Sequence, residues 1–255
     1  MTGPADEALE AEFDVVARWT EEAVRLLGPD HAIPAGCRGS ASPGGLAWLG
    51  EACELAAGAR LLDAGGGVGG PAAYAALRFG VHPVLVEPML GACHAAVRLF
   101  GLTAVAGAGQ RLPVATGAVD AAWCLGVLCT TEDKPALVRE LRRVLPRGGP
   151  LGLLVFTARR GRLPDPPQGN AFPTDDEVAR LLDDSGFDLV QQLDAAEVAA
   201  TPLSWTERIV AVERAVADAH GDDPRFALAR DQEQRVARLL DEGRVAGRLV
   251  HAVAR

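Results

Sequence analysis

The residues best suited to chemistry form one stretch, in which an apolar run ends at Asp63 and the glycine-rich segment 65–70 follows. Pro71 and a run of alanines come next. This order predicts a buried strand, a tight turn and a helix N-terminus, because glycine adopts positive φ and lets the backbone approach a ligand closely. Such a turn suits a nucleotide-like cofactor.

The glycine turn satisfies two cofactor fingerprints. Gly65, Gly67 and Gly70 match the dinucleotide pattern G-x-G-x-x-G, whereas the stretch from Asp63 to Gly69 matches the pattern D-x-G-x-G-x-G of S-adenosylmethionine sites. Both patterns need glycines for a tight turn and close backbone approach. The turn alone therefore leaves both cofactors open.

Two acids bear on this choice. Glu87 ends the next predicted strand and can accept hydrogen bonds from the ribose hydroxyls of either cofactor, unless it is simply a solvated acid at a strand end. Asp63 discriminates better, because an acid inside the turn repels a pyrophosphate and attracts an α-ammonium group. Asp63 therefore favours S-adenosylmethionine.

The elements that must position these residues alternate between strand and helix from Arg60 onward. Strands are predicted over 60–64, 83–87, 103–107, 119–125 and 150–156. The helices between them are predicted to end at Gly80, Gly101 and Gly148, since glycine commonly follows a helix. This alternation is typical of a parallel sheet covered on both faces.

Helical patterns precede this alternation. A helix is predicted over about 6–27, and its expected buried face is Leu9, Phe13, Val16, Val24 and Leu27. Residues 29–43 are predicted to form a loop, and Ser42 is expected to cap a helix that begins at Pro43.

Further helices and strands follow the alternation. Capping boxes at Thr174 and Ser204 and the pair Asp223-Pro224 each predict a helix start, and strands are expected at 187–193 and 248–253. We expect residues 1–56 to form a helical lid segment. Residues 57–255 are then the Rossmann-like core, with a helical insertion at about 196–245.

Bulk properties exclude several classes of protein. The 255 residues carry a net charge of −9, which argues against a nucleic-acid partner, and the basic run 159–162 is interpreted as a solvated loop. The five cysteines lack metal or redox spacing and indicate reduced thiols. Neither a signal peptide nor a run long enough to span a membrane is evident, so we expect a cytoplasmic protein.

Three downstream segments decide between the two cofactors. Leu112-Pro113, Val119-Asp120 and Arg143-Val144-Leu145-Pro146-Arg147-Gly148-Gly149 follow the glycine turn in consistent register. Together with that turn they resemble the class I S-adenosylmethionine-dependent methyltransferases, in particular the small-molecule branch with ubiquinone/menaquinone- and sterol-type enzymes. The resemblance covers about residues 60–156. It implies an α/β, doubly wound sheet of about seven strands, the last antiparallel, with helical lid additions.

The resemblance also implies which residues hold the cofactor. The glycine turn would hold the methionyl part, the acid after the second strand the ribose, and residues after the third and fourth strands the adenine and the methyl side. Carried over, these are Asp63, Gly65, Gly67, Gly69, Glu87, Pro88, Met89, Ala108, Gly109, Gln110, Cys124, Leu125 and Gly126. Two positions depart from the family, which often has Asp at Ala108 and His at Thr130.

The acceptor side is less defined. His31, Arg38, Thr130, Trp205 and Glu207 are candidates to line the acceptor pocket. The alternatives are a hydrogen-bonded loop histidine, a surface arginine, a packing tryptophan and a capping-box glutamate. No residue is identified as a general base, no metal site is expected, and the oligomeric state is not indicated.

The sequence therefore predicts methyl transfer from S-adenosylmethionine to O, N or C of a small, largely apolar molecule. One alternative is an NAD(P)-dependent oxidoreductase, which Asp63 and the downstream motifs disfavour. The other is a protein that binds S-adenosylmethionine without transferring its methyl group.

Overall fold

The computed structural model describes residues 3–159 and 163–255, so residues 160–162 of the predicted basic loop lie outside the described residues. A seven-stranded sheet forms the centre. Its strands are β1 Arg60–Ala64, β2 His82–Glu87, β3 Thr103–Ala106, β4 Ala121–Leu125, β5 Pro150–Ala158, β6 Phe187–Asp194 and β7 Val245–Ala254. They lie in the order β3-β2-β1-β4-β5-β7-β6.

The first five strands are parallel, and β7 runs antiparallel between β5 and β6. The register pairs Leu62 with Ala122 and, across the antiparallel junction, Leu153 with Val250. This arrangement confirms the predicted doubly wound sheet with an antiparallel last strand. The carboxyl ends of β1 to β5 therefore share one edge.

Helices cover both faces of the sheet. They are α1 Pro4–Leu9, α2 Val16–Leu27, α3 Ala32–Gly36, α4 Pro43–Ala52, α5 Gly70–Phe79, α6 Leu90–Phe100, α7 Lys134–Val144, α8 Asp175–Asp184, α9 Leu203–His220 and α10 Pro224–Asp241. One core contains Leu137 and Leu182 from α7 and α8, and the other contains Leu46 and Ala75 from α4 and α5. No helix of the described ranges has both the length and the apolar character needed to cross a membrane.

The N-terminal helix differs from its predicted face. It continues from α1 into α2 through a π-helical stretch, Glu10–Val15, which we call the π-segment. The buried positions are Ala8, Ala11, Val15 and Trp19, whereas Phe13 of the predicted face is 38% exposed. The wider turn of a π-helix rotates the residues that follow, a shift that a 3.6-residue period does not predict.

The prediction of a loop over 29–43 is wrong in its first half. A 3-10 turn, Pro29–His31, leads directly into α3. The end of α3 presses against the start of α5, where a Cβ on Gly70 would lie 2.2 Å from the carbonyl carbon of Gly36. This contact between two glycine backbones is a tertiary interaction, and local composition does not reveal it.

Two helix ends also differ from prediction. α7 ends at Val144 and not at Gly148, because the residue before Pro146 is held in an extended conformation. α9 begins at Leu203, after Pro202, so Ser204 lies inside the helix and the predicted capping box is absent. By contrast, the structure has the caps predicted at Thr174 and Asp223.

Two helical segments meet at the carboxyl edge of the sheet. The chain leaves β6 at Asp194 and re-enters at Val245, which pairs with Ala158 at the end of β5. Between these points α9 and α10 pack against α2 and the π-segment, with Trp19 stacked on His220 at 4.5 Å between ring centroids. We call residues 4–38 and 203–241 together the lid. α4 instead packs on a sheet face.

Candidate functional site

The glycine turn after β1 has the backbone that its sequence predicts. Gly65, Gly67 and Gly69 have φ of 72°, 53° and 83°, in the left-handed region that favours glycine. The Gly65 N–H donates to the Val86 carbonyl oxygen at 2.7 Å, and a Cβ on Gly65 would lie 2.5 Å from Val127. The turn is therefore held against the ends of both β2 and β4.

Asp63 lies beneath this turn as a buried acid. It is 1% exposed, and among the described residues neither carboxylate oxygen has a hydrogen-bond partner. Burial, followed by the charge of Glu87, raises the pKa of Asp63 to about 7. An isolated buried carboxylate is costly, so this position favours a bound cation next to it.

Glu87, at the end of β2, ties the turn to the neighbouring strand. Its Oε2 accepts a hydrogen bond from the Gly67 N–H and its Oε1 accepts one from the Met89 N–H, both at 3.0 Å. Burial raises the pKa of Glu87, and these two donors oppose the rise. Pro88 beside it is exposed and Met89 is half-buried. A carboxylate accepts up to about four hydrogen bonds, so Glu87 keeps acceptor capacity for ribose hydroxyls.

The ends of β3 and β4 complete the same edge. Ala108 is exposed and precedes the 3-10 turn Gly109–Arg111, in which Gln110 is also exposed. After β4, the buried pair Cys124 and Leu125 leads to Gly126. Gly126 has a φ of 78°, and a Cβ there would meet nothing within 4 Å. The predicted cofactor residues therefore lie at the carboxyl ends of four adjacent strands.

The turn after Gly126 is closed by its own side chains. Thr130 Oγ1 donates to the Val127 carbonyl oxygen at 3.0 Å, and the Cys129 thiol donates to that of Gly126 at 3.2 Å. The Ala171 N–H donates to the Cys129 carbonyl oxygen at 2.8 Å, which ties the loop after β5 to this turn. Thr130 therefore stabilises the turn that lies beside Gly126.

Arg38 lies at a junction of lid elements. Its guanidinium contacts Glu213 of α9 at 3.3 Å and Glu233 of α10 at 3.7 Å. His31 lies elsewhere in the lid, in the 3-10 turn that packs on α9, and its Nδ1 is buried without a partner among the described residues. The two predicted acceptor residues thus occupy different parts of the lid.

The two α9 candidates also differ from each other. Trp205 packs edge-on against Tyr74 of α5 at 6.3 Å between ring centroids, within an apolar cluster. Glu207 is exposed and, because the capping box is absent, does not serve as a helix cap. Trp205 therefore joins the lid to the helix that follows the glycine turn.

The structure adds one residue that sequence reasoning missed. Glu12 of the π-segment is half-buried, and burial followed by the charge of Glu233 raises the pKa of Glu12 to about 7, against an opposing effect of Arg38. The sequence could have identified Glu12, because apolar residues lie four positions before and after it, at Ala8 and Val16. Such spacing places an acid within an apolar stripe.

Comparisons with known proteins agree with this geometry. Residues 62–153 match the sequence profile of a family described as a methyltransferase domain. No curated protein sequence matches the chain. Several solved structures have a similar fold, each aligned over 82% of this chain.

Three of these structures illustrate the likeness. The [4+2]-cyclase SpnF aligns with a TM-score of 0.65 at 22% identity, over 79% of its own length. A geranyl diphosphate C-methyltransferase from Streptomyces coelicolor A3(2) aligns with a TM-score of 0.60 at 18% identity, over 78% of its length. A phosphoethanolamine N-methyltransferase from Haemonchus contortus aligns with a TM-score of 0.66 at 17% identity, over 52% of its length.

The strand order, the antiparallel last strand and the glycine turn above a buried acid define a Rossmann-like methyltransferase fold. Residues 62–153 match a methyltransferase domain, and this match together with the fold supports the class I S-adenosylmethionine-dependent methyltransferases, with S-adenosylmethionine as the cofactor. The class predicted from the sequence is confirmed.

Proposed function

We propose that the protein transfers the methyl group of S-adenosylmethionine to a small, largely apolar acceptor held under the lid. The observation that carries the proposal is Asp63, a buried acid beneath a left-handed glycine turn whose carboxylate has no hydrogen-bond partner within residues 3–159 and 163–255. A cofactor with an α-ammonium group supplies the missing partner, whereas the pyrophosphate of a dinucleotide adds a like charge. The residues present therefore fit S-adenosylmethionine better than NAD(P).

Each part of the edge then has a role toward the donor. Asp63 would face the α-ammonium group, Glu87 would accept the ribose hydroxyls, and Ala108 to Gln110 would border the adenine. Cys124 to Gly126 would line the methyl side, where the space beyond Gly126 is open. When bound, S-adenosylmethionine supplies an electrophilic methyl group that needs no further activation.

The chain must align the acceptor with that methyl group and exclude water. Pre-alignment can supply several kcal/mol of the barrier reduction in such displacements, about 7 kcal/mol or more in well-oriented cases. The lid is suited to both tasks, since it has an apolar core that includes Val15, Trp19, Val212 and Val216. Similar folds bound to phosphomonomethylethanolamine and geranyl diphosphate support the expectation of a small acceptor.

Thermal unfolding with and without ligands tests cofactor choice. At a hundredfold excess over Kd, S-adenosylmethionine or S-adenosylhomocysteine should raise Tm by about 5–10 °C. NAD and NADP, as matched controls with an adenosine group, should leave Tm unchanged. Stabilisation by NAD or NADP alone would contradict the proposal.

A second candidate function keeps the cofactor but not the transfer. One of the similar structures is named for a cyclisation, so this fold also occurs in a protein named for another reaction. Incubation with methyl-labelled S-adenosylmethionine and a set of small acceptors separates the two functions. Label in a product together with S-adenosylhomocysteine supports methyl transfer. Tight cofactor binding without S-adenosylhomocysteine supports the second function.

We further propose that the protein acts in the cytoplasm and without a nucleic-acid partner. All five cysteines are free and buried, which suits a reducing compartment. The net charge of −9 opposes binding to a phosphate backbone. Localisation of a fluorescent fusion and an electrophoretic mobility assay test the two parts separately.

A further inference from the structure

Glu12 stands out as a lid carboxylate whose neighbours belong to several different elements. Its charge acts on Arg38 after α3, on Glu233 of α10 and on the Cys129 thiol in the turn after β4. Among the residues that the structure describes, no hydrogen bond or ion pair involves its carboxylate. The side chain therefore lies where the lid meets the end of β4, without a donor of its own.

Two contacts fix the position of the π-segment over the sheet. On one side, Asp14 Oδ1 accepts a hydrogen bond from the Gly91 N–H at 2.5 Å, just beyond the end of β2. On the other side, Leu9 lies 3.2 Å from where a Cβ on Gly169 would be, in the loop after β5. Since β1 and β4 lie between β2 and β5, the segment crosses above their carboxyl ends.

The surface below this crossing is the turn that follows β4. Gly126 faces open space there, and the Cys129 thiol is bonded to its carbonyl oxygen. The loop after β5 closes the side through Ala171, and Gln232 of α10 accepts the Gln168 N–H at 2.6 Å. These groups border the turn that carries Gly126, next to the residues assigned to the methyl side.

The charges around Glu12 leave it available to a ligand. Both terminal nitrogens of Arg38 are engaged, one by Glu213 and the other by Glu233. Two carboxylates thus occupy the terminal nitrogens of this guanidinium, and Glu12 forms no ion pair with it. Burial and the charge of Glu233 raise the pKa of Glu12 to about 7, which suits proton exchange near neutral pH.

We propose that Glu12 accepts the proton of the acceptor during methyl transfer, so the acceptor carries a protic nucleophile, a hydroxyl or an amine N–H. The inference rests on the proposed function. In the step, the bond between acceptor atom and methyl carbon forms and the S–CH3 bond breaks with its electron pair retained by sulfur. The acceptor's proton passes to the Glu12 carboxylate and then to water.

Several charged groups must be considered in any pH profile. Glu233 and Arg38 face Glu12 from the lid, and Cys129 faces it from the sheet side with Lys134 nearby. Asp63 also has a pKa of about 7 but belongs to the donor site. Saturating S-adenosylmethionine separates the two acids, because ionisation of Asp63 then affects cofactor binding and not the acceptor step.

The experiment compares Glu12→Gln with wild type on paired probes. 4-Propylphenol and 4-propylaniline carry a proton on the nucleophile, whereas 4-propyl-N,N-dimethylaniline does not. Between pH 5.5 and 9, wild-type kcat/KM for the protic probes should rise to a plateau above about pH 7. In Glu12→Gln, kcat/KM for the protic probes should fall at least about 100-fold and should no longer depend on pH. Its kcat/KM for the dimethyl probe should change less than about threefold. Glu10→Gln, an exposed neighbour with the same charge change, is the control.

A measurement without turnover completes the test. Because its folded pKa is raised, Glu12 in the wild type destabilises the fold as pH rises from about 4.5 to 7. The Tm of Glu12→Gln relative to that of the wild type should therefore increase as pH rises across this range. The Tm of Glu10→Gln relative to wild type should stay constant.

The outcomes separate this proposal from the proposed function. Equal loss on protic and dimethyl probes, or an unchanged pH profile in Glu12→Gln, would overturn the role of Glu12 and leave methyl transfer intact. A flat Tm difference across the pH range would do the same. A wild type that binds S-adenosylmethionine and forms no S-adenosylhomocysteine with any probe would overturn both.

Discussion

The residues proposed to hold the methyl donor, which are the glycine turn 63–69 and Glu87 and which we call the donor side, meet the lid at one edge of the sheet. The two regions are held together by different interactions. On the donor side, backbone groups dominate, as in the bonds from Gly67 and Met89 to Glu87. In the lid, side chains far apart in sequence pack together, as Trp19 does with His220 and Arg38 with Glu213. The donor side is therefore specified locally, whereas the lid depends on tertiary contacts.

The largest expected effect is a loss of cofactor affinity from a substitution in the donor side alone. Gly65→Ala places a Cβ 2.5 Å from Val127 and requires a φ of 72°, which costs about 1–2 kcal/mol even without a clash. Calorimetric titration with S-adenosylhomocysteine should show a Kd at least about 100-fold weaker. Gly58→Ala is the matched control, because Gly58 has a φ of 84° with nothing within 4 Å. Equal affinity in the two variants would show that the turn does not hold the cofactor.

A smaller effect should follow from removing charge on the donor side. Asp63→Asn should weaken S-adenosylhomocysteine binding by about 10- to 100-fold at pH 8, the value of a lost charge-assisted hydrogen bond. Asp184→Asn, an exposed change of the same kind, should leave affinity unaltered.

The same variant predicts a pH effect on stability. The folded pKa of Asp63 is raised from 3.8 to about 7, so the wild type loses stability as pH rises through this range. Asp63→Asn lacks that loss, and its Tm relative to wild type should increase from pH 4 to pH 7. A constant difference in thermal unfolding would show that Asp63 is not a destabilising buried acid.

The smallest expected effect lies in the lid. Trp205→Ala removes the edge contact with Tyr74 and should cost about 2 kcal/mol, or about 4–8 °C in Tm, since Trp205 is half-buried. The Kd for S-adenosylhomocysteine should stay within about threefold of wild type, and KM for an accepted probe should rise. Leu203→Ala is the control on the same helix, because Leu203 is 80% exposed. A large loss of cofactor affinity in Trp205→Ala would mean that lid and donor side are not separable.

The difference between the regions also explains what could be predicted from sequence. The turn at Gly65 and the acid at Glu87 follow from short-range rules, because positive φ and strand ends leave local signals. The capping box at Thr174 was predictable for the same reason. The assignment of the remaining site residues stays a prediction.

The lid was less predictable because its signals are not local. The π-segment rotates the buried face relative to a regular α-helix. From the sequence alone, Glu12 is therefore placed on an ordinary amphipathic helix. α3 is stabilised by its contact with Gly70 and not by its own composition. At Ser204 the capping pattern competes with Pro202, which is the N-cap in the structure, so the helix begins two residues earlier than predicted.

The insertion between β6 and β7 has a consequence for how this protein could diversify. Its two ends lie side by side, since the Ala195 N–H donates to the Gly247 carbonyl oxygen at 2.8 Å while Asp194 pairs with Arg248. A segment with adjacent ends can be lengthened, shortened or exchanged without changing the register of any strand. New selectivity can therefore evolve, or be grafted in a chimaera, as a cassette that leaves the donor machinery untouched.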